Sequence, residues 1–133
     1  MTNDAVKETL PLGKVAIVYA SVHHGNTRQI AELLAAQLDA DLWTVEEAQG
    51  KSLNDHSLVG LGSGIYFGRH HESLLKLVDS WGKAPERVFL FSTAGLPFLR
   101  ILQHSALRVR LLRKGGSIAA EFCCRGWDTV GPL

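Results

Sequence analysis

One segment near the amino terminus joins an apolar strand, a turn with glycine and hydroxyl groups, and the start of a helix. It covers residues 15–31 and reads VAIVYASVHHGNTRQIA. The first turn of a helix exposes unpaired backbone N–H groups at the positive end of the helix dipole, so this junction attracts anions. Gly25 permits close approach of the backbone, and Ser21, Asn26 and Thr27 add side-chain donors. The segment therefore predicts a cradle for a cofactor phosphate.

The turn has no lysine after Gly25, which excludes the Gly-Lys-Ser/Thr ending of a nucleoside-triphosphate loop. It resembles the first loop of the flavodoxin family, which wraps the phosphate of flavin mononucleotide (FMN). Four residues match that loop, namely Ser21, Gly25, Asn26 and Thr27. The resemblance implies a flavodoxin-like α/β fold with FMN as its cofactor.

The part of this loop between Ser21 and Gly25 is one residue longer than in common flavodoxins. His23 and His24 stand where small hydroxyl residues usually sit. A protonated imidazole beside a dianion forms charge-assisted hydrogen bonds, whereas the alternative is two exposed loop histidines without a ligand. The predicted phosphate site consists of Ser21, Val22, His23, His24, Gly25, Asn26 and Thr27.

Strands and helices alternate along the rest of the chain. The predicted strands are 14–20, 42–45, 57–62, 87–92 and 117–124, and the predicted helices are 27–38, 71–81 and 98–113. Alternation of this kind favours right-handed crossovers and a parallel sheet. The doubly wound order 2-1-3-4-5 places the carboxyl ends of the first and third strands at the switch point, where ligands bind. The first helix is expected to face the sheet with Ile30, Leu33, Leu34 and Leu38.

The loop after the third strand, GSGIYFGRHH at 62–71, corresponds by resemblance to the family's flavin-ring loop. The resemblance implies that backbone amides approach the ring and that Tyr66 or Phe67 stacks on it, the alternative being simple packing under the loop. The residues assigned to it are Ser63, Gly64, Ile65, Tyr66 and Phe67. The glycines from Gly60 to Gly64 leave nicotinamide binding as a minor alternative, because a dinucleotide fingerprint follows the first strand and opens a helix, whereas this run follows the third strand and no helix begins directly after it.

The loop after the fourth strand, FSTAGLPF at 91–98, resembles the family's second ring-contacting loop. The resemblance implies that backbone groups of Thr93, Ala94 and Gly95 bond the edge of the flavin. Many flavodoxins cover the outer ring face with a tyrosine, whereas this chain offers Phe98 and, after the fifth strand, Trp127. An open ring face favours a substrate or partner that stacks there.

Other chemistries have weaker support. Adjacent His70 and His71 lack metal-ligand spacing, so exposure or helix capping is expected and no metal site is predicted. Ser63 and Ser92 permit a hydrolase triad by composition, but the chain has no Gly-x-Ser-x-Gly nucleophile elbow. No side chain is predicted to be a dedicated catalytic acid, base or nucleophile.

The charge is divided unevenly. Residues 1–66 hold 4 Lys/Arg and 8 Asp/Glu, whereas residues 67–133 hold 10 and 5. A span free of acids from Arg87 to Ala120 contains five arginines and one lysine. A solvated helix in a near-neutral protein is the preferred interpretation, over nucleic acid or an acidic membrane, and an acidic redox partner is a third option.

The ends of the chain and its cysteines complete the prediction. Residues 1–13 are polar and are interpreted as a loose leader before one domain over 14–133, with neither a signal peptide nor a membrane span. Cys123 and Cys124 are adjacent on a strand, so neither a disulfide between them nor a shared metal is expected. We expect a cytoplasmic protein with reduced thiols.

The flavodoxin fold closes with a helix after the fifth strand, and only Arg125–Leu133 follow that strand here. The sheet face beside the first helix should then be partly bare, which predicts either a truncated sequence or a homodimer that covers the face.

The predicted function is non-covalent binding of FMN and transfer of electrons to a redox partner protein or a small quinone-like acceptor. One alternative is a module for interaction or assembly that keeps the fold without a flavin. Another is an FMN-dependent quinone or protoporphyrinogen oxidoreductase, since GSGIYFG at 62–68 is similar to a loop of menaquinone-dependent protoporphyrinogen oxidases.

Overall fold

The computed structural model describes residues 13–21, 26–93 and 99–124. Its strands are β1 (Val15–Ala20), β2 (Asp41–Thr44), β3 (Leu58–Tyr66), β4 (Arg69–His70), β5 (Arg87–Thr93) and β6 (Ser117–Cys124). Its helices are α1 (Asn26–Leu38), α2 (Val45–Ala48), α3 (Glu72–Asp79), α4 (Arg100–Gln103) and α5 (Ser105–Arg113). Of the predicted leader, residues 1–12 lie outside the described part.

Five strands form a parallel sheet in the order β2-β1-β3-β5-β6, and the two-residue β4 pairs antiparallel with β3. The prediction of a doubly wound sheet is therefore confirmed, because β5 and β6 are the predicted fourth and fifth strands. Every residue of β1 is buried. A strand that pairs on both edges and is covered on both faces must be apolar throughout, as this one is.

One face of the sheet is covered by α3 and α5. Leu74 and Val78 of α3 and Leu107 and Leu111 of α5 pack with alternate residues of β1, β3 and β5 in the larger core cluster. Leu74, Leu77 and Val78 of α3 are buried, whereas Trp81 is partly buried and lies beyond the last helical residue.

The opposite face is covered by α1. Ala31 is fully buried there, and Leu34 and Leu38 pack around it. Leu33 is 56% exposed, so its predicted place in the buried stripe is wrong. Successive residues of a helix turn by about 100°, which directs Leu33 away from the face shared by Ala31, Leu34 and Leu38.

An apolar groove of about 310 Å³ remains on this face between α1 and β6. Its lining includes Leu34, Leu38, Phe89 and Phe122. Among the described residues α1 is the one helix on this face, and residues 125–133, which follow β6 in the chain, lie outside the described part. Dimerisation through this groove stays a prediction.

A short helix, α2, follows β2 in a region where no helix was predicted. Thr44 Oγ1 accepts the N–H of Glu47 at 3.1 Å, and Glu47 Oε1 accepts the N–H of Thr44 at 2.9 Å. This reciprocal pair is a capping box, and its Thr-x-x-Glu spacing is readable in the sequence. Within the described ranges no helix is both long enough and apolar enough to cross a membrane.

Candidate functional site

The candidate site lies at the edge of the sheet where β1, β3 and β5 end. Ala20 pairs in register with Ser63, and Gly64 pairs with Thr93, so the ends of the three strands are adjacent. Because parallel strands run in one direction, the loops that follow them start at this same edge. The topology therefore brings together the starts of the three segments that the sequence analysis selected.

A hydroxyl pair joins the first and third of these segments. Thr27 Oγ1, on the first turn of α1, lies 2.7 Å from Thr93 Oγ1 at the end of β5, and both residues are buried. One hydroxyl donates to the other, and the acceptor hydroxyl keeps its own hydrogen for a further acceptor. The pair fixes the amino terminus of α1 against the end of β5.

The other predicted phosphate residues are described only in part. α1 begins at Asn26, which is half-buried, and Ser21 is exposed just after β1. The first turn of α1, whose N–H groups have no partner within the helix, therefore lies at the predicted edge of the sheet. Val22, His23, His24 and Gly25 lie outside the described residues, so their contribution stays a prediction.

The predicted second loop is mostly a strand. β3 does not end at Gly62 but continues to Tyr66, and then turns back through Phe67 and Gly68 into β4. The extension forms because Gly64 still pairs with Thr93 of β5, while Tyr66 pairs with Arg69 of β4. Part of the backbone that was predicted to be free to bind a flavin ring is therefore engaged in strand pairing.

Ser63 is fully buried and its hydroxyl has two partners. The Oγ–H donates to Gly64 O at 2.6 Å, and the oxygen accepts the N–H of His71 at 2.9 Å. Ser63 thereby links β3 to the start of α3. This geometry assigns its side chain a supporting role in the candidate site.

The glycines of β3 provide space for aromatic rings. A Cβ atom added to Gly60 would overlap the ring of Phe89, and one added to Gly62 would overlap the ring of Phe91. The two rings stack at a centroid distance of 6.2 Å in the smaller core cluster. Close packing of the core therefore explains these glycines, and a dinucleotide fingerprint is not needed.

Tyr66 and Phe67 differ in their surroundings. Tyr66 is half-buried, and its ring meets that of His71 edge to face at a centroid distance of 5.0 Å. Burial raises the pKa of the Tyr66 hydroxyl, which is thus protonated at neutral pH. Phe67 is fully exposed at the tip of the β3–β4 turn. Among the described residues, a neighbouring ring holds Tyr66 in place, and none does so for Phe67.

The two adjacent histidines have separate roles. His71 is the N-cap of α3, where its Nδ1 accepts the N–H of Ser73 at 3.0 Å, as the capping prediction required. His70 is 1% exposed, so the expectation of exposure or capping is wrong for this residue. Its Nε2–H donates to Phe91 O at 2.9 Å, and its ring lies 4.6 Å from that of His104.

A second buried imidazole interrupts the predicted helix 98–113, which the structure divides into α4 and α5 at His104. His104 Nδ1–H donates to Glu121 Oε1 at 3.0 Å, and Nε2 accepts the hydroxyl of Ser92 at 2.8 Å. The proton of the neutral imidazole is assigned to Nδ1, because a carboxylate can only accept a hydrogen bond. Through these two hydrogen bonds the imidazole connects the junction of α4 and α5 to both β5 and β6.

Arg108 completes this polar cluster. Its Nε and Nη2 donate to the two oxygens of Glu121 at 2.6 and 2.8 Å. Burial alone would raise the pKa of the Glu121 carboxyl, but the Arg108 guanidinium and the imidazole hold that pKa below its usual value. Burial lowers the pKa of His104, and it lowers the pKa of His70 to about 4. At neutral pH both imidazoles are neutral beside an ionised Arg108–Glu121 pair.

Ser92, His104 and Glu121 have the hydrogen-bond order of a hydrolase triad. Of these three residues, only Ser92 was named from the sequence as a possible triad member. The serine is 0% exposed, however, and its oxygen lies beneath the helices of the larger core cluster. A nucleophile must reach the atom that it attacks, so this arrangement is a structural network. The sequence carried no local signal for it, because the three residues come from β5, the α4–α5 junction and β6.

The remaining predicted ring contacts can be assigned only in part. Thr93 lies at the site edge, whereas Ala94, Gly95, Phe98 and Trp127 lie outside the described residues. Within the described ranges no three His, Cys, Asp or Glu side chains come together as a metal site.

Comparison with known proteins agrees with this architecture. The model of the flavodoxin domain family matches residues 16–96. An uncharacterized protein of Methanocaldococcus jannaschii, MJ0298, is 44% identical over 118 residues, which cover 89% of this chain and 79% of that protein.

Solved structures share the fold at low sequence identity. The Trp repressor binding protein of Bacillus subtilis superposes with a TM-score of 0.70 at 14% identity, covering 85% of each chain. Flavodoxin 1 of Bacillus cereus gives 0.66 at 15% identity, covering 86% of this chain and 85% of that one. A flavodoxin variant of Fusobacterium nucleatum bound to FMN gives 0.61 at 18% identity, covering 81% and 69%. By its sheet order and by the match over residues 16–96, the chain belongs to the flavodoxin domain family.

Proposed function

We propose that this protein binds FMN without a covalent bond at the carboxyl ends of β1, β3 and β5, and that it carries electrons. The observation that carries the proposal is the Thr27–Thr93 hydroxyl pair, 2.7 Å apart at the junction of two loops. It holds the helix amino terminus, the preferred place for a phosphate, against the strand end from which the ring-contacting loop leaves. A flavodoxin relative with FMN bound supports the choice of cofactor.

The described residues fit such a cofactor. The first turn of α1 offers backbone N–H groups to a phosphate, and the hydroxyl pair retains one hydrogen that can be donated to it. Tyr66 offers a half-buried aromatic face near the end of β3. We expect Ser21, Asn26 and Thr27 to hold the phosphate, and the turn after Tyr66 and the backbone at Thr93 to hold the ring.

When bound, the flavin supplies the redox chemistry, and the protein supplies position, hydrogen bonds and the local field. The Nδ1 atom of His71 is engaged in capping α3, and the Tyr66 hydroxyl stays protonated because burial raises its pKa. Electron transfer requires no general acid or base from these side chains. The side-chain chemistry of this edge thus suits a carrier.

A pair of matched variants tests the proposal. Thr27→Val removes a predicted phosphate donor together with the hydroxyl pair, whereas Thr93→Val removes the same pair but no predicted phosphate contact. We expect Thr27→Val to weaken FMN binding by about 1–3 kcal/mol, or roughly 5- to 150-fold in Kd, because a buried acceptor loses its donor. Thr93→Val should change Kd much less, since only its backbone is assigned to the ring.

The measurement is titration of the purified protein with FMN, followed by the visible absorption and the fluorescence of the flavin. Retention of FMN after removal of the excess supports the binding site, and reversible reduction and reoxidation of the retained flavin supports electron carriage. A folded protein that retains no FMN would refute the proposal and favour an assembly module. Equal effects of the two substitutions would remove Thr27 from the phosphate site.

A further inference from the structure

Three strongly exposed apolar side chains lie on two elements beside the candidate site. Among the described residues the three most exposed large apolar side chains are Phe67, Ile101 and Leu102, at 105%, 69% and 68%. Phe67 is on the β3–β4 turn, and the other two are on α4, which contacts β4. Together with Arg69 and Arg100 they form what we call the hairpin–helix surface. Exposed apolar side chains on two neighbouring elements are typical of a contact surface.

Phe67 has an unfavourable backbone conformation, and no contact with another described residue compensates for it. Its φ is +52°, and that of Gly68 is +80°, the signs found at the two central residues of a type I′ hairpin turn. Asparagine or aspartate before glycine suits such a turn, and an aromatic residue does not. Since the Phe67 side chain is fully exposed, packing within the chain does not explain its presence.

The helix that carries the other two apolar residues is short but well anchored. None of the four residues of α4 is buried. The carbonyl oxygen of Ile101 accepts from Arg108 Nη1 at 3.1 Å, and that of Leu102 accepts from Ser105 Oγ at 2.7 Å. His104 next in the chain is held by the buried polar cluster. The backbone of α4 is thus fixed while its apolar side chains face solvent, which lowers the entropy cost of binding.

The charges of the surface are positive, and they come from two arginines, Arg69 and Arg100. Arg69 and Arg100 form no ion pair with any described residue, whereas Arg28, Arg108 and Arg110 each pair with a carboxylate. Arg100 also lines a groove of about 510 Å³ with Ile101, Arg108, Ile118, Ala120 and Glu121. The carboxylate there is already occupied by Arg108 and His104. An acidic side chain of a partner could therefore pair with the Arg100 guanidinium in this groove while it packs against the apolar wall.

We propose that the hairpin–helix surface docks a partner protein whose interface has carboxylates around an apolar centre. The inference rests on the proposed function, because a surface beside the flavin edge places its partner within range for electron transfer. Desolvated apolar anchors with complementary charges at the rim are the usual composition of such interfaces.

Other occupants suit the surface less well. A second copy of the chain related by a two-fold axis would bring Arg69 and Arg100 near their own equivalents, and like charges oppose association. A neighbouring aliphatic pair, Ile101 and Leu102, is suited to a protein core contact and not to a phosphate backbone. A helix of four residues is short for insertion into a lipid interface.

The first test maps anion contacts on the full chain without flavin. The paramagnetic tris(oxalato)chromate(III) trianion is added at about 10 mM ionic strength, where charges interact over about 30 Å. We expect the amide NMR signals of residues 67–70 and 100–102 to broaden first. Arg69→Gln with Arg100→Gln should remove this broadening. Arg87→Gln with Arg113→Gln changes the net charge equally at exposed positions far from the site edge, and should leave it.

The second test uses the FMN-loaded protein, so loading itself reports on the proposed function. After dithionite reduction, two ferricyanide ions accept the two electrons of each flavin, and the accompanying protons pass to the buffer. We expect the Arg69→Gln, Arg100→Gln variant to react about tenfold more slowly with ferricyanide at low salt, and no more slowly with a cationic cobalt(III) complex. The control pair should behave as the unmodified protein.

Three results would overturn the docking proposal while FMN binding stands. These are anion contacts centred elsewhere, an equal effect of the control pair, or tight binding of single-stranded DNA or anionic vesicles through the same residues at about 150 mM salt. Failure to load FMN overturns the proposed function instead, and with it the electron-transfer role of the surface, even where anion contacts map to it.

Discussion

Protonation of His70 should destabilise the fold below neutral pH. The imidazole is 1% exposed, its Nε2–H donates to Phe91 O at 2.9 Å, and its Nδ1 has no partner among the described residues. Burial lowers its pKa to about 4, from 6.5 for an exposed imidazole, and the neighbouring His104 ring adds to the lowering. A second proton on this imidazole would create a buried positive charge that has no counter-ion in direct contact.

The direction follows from proton linkage. The unfolded chain binds the proton more tightly, so the stabilisation is complete above the unfolded pKa and is lost as pH falls towards the folded pKa. With pKa values of 6.5 and about 4, we expect a loss of about 2 kcal/mol between about pH 7.5 and about pH 5. The limiting loss at still lower pH is about 3 kcal/mol from this group alone.

Urea denaturation across this pH range measures the effect, with His70→Gln as the control. The glutamine amide can still donate to Phe91 O but does not titrate, so its variant should lose about 2 kcal/mol less over the same range. NMR titration of the His70 ring protons gives the folded pKa directly. Equal pH dependence of the two proteins, or a ring that titrates near 6.5, would refute the reasoning.

Three further changes have defined outcomes. Phe67→Asn should raise the free energy of unfolding by about 0.5–1 kcal/mol in chemical denaturation, because asparagine tolerates the positive φ of this exposed turn; a clear loss would mean that Phe67 packs on its own chain. Gly62→Ala should cost about 1–3 kcal/mol by the same measurement, since its Cβ would overlap the Phe91 ring, and an unchanged midpoint would contradict that packing. If the groove between α1 and β6 forms a dimer, light scattering at micromolar concentration should give twice the chain mass, and Phe122→Lys should restore the monomer; a monomeric unmodified protein would exclude this.

The sequence alone determined the parts of the fold that depend on local periodicity. The apolar run of β1, the turn into α1 and the alternation of strands with helices predicted a doubly wound parallel sheet, and the structure has it. Right-handed crossovers leave few topologies for such a chain, which is why local patterns were sufficient. The edge at which the candidate site lies followed from the same rule.

The tertiary structure decided which side chains are available to bind a ligand and which are used in packing or in hydrogen bonds within the fold. Gly62 leaves room for the Phe91 ring, and Ser63 is a buried link to α3, although Gly62 was predicted as the end of the third strand and Ser63 as part of the loop after it. Ser92, His104 and Glu121 lie far apart in sequence, and only the packing of α5 against β5 and β6 joins them. Contacts of this kind have no periodic signal along the chain.

The length of β3 illustrates the physical reason. Glycines and a serine favour a loop when only neighbours in sequence are considered. Pairing with β5 as far as Gly64, and with β4 at Ile65 and Tyr66, adds hydrogen bonds that keep the strand extended. Partners distant in sequence thus outweighed local preference, and they also set the conformation of Phe67 at the turn.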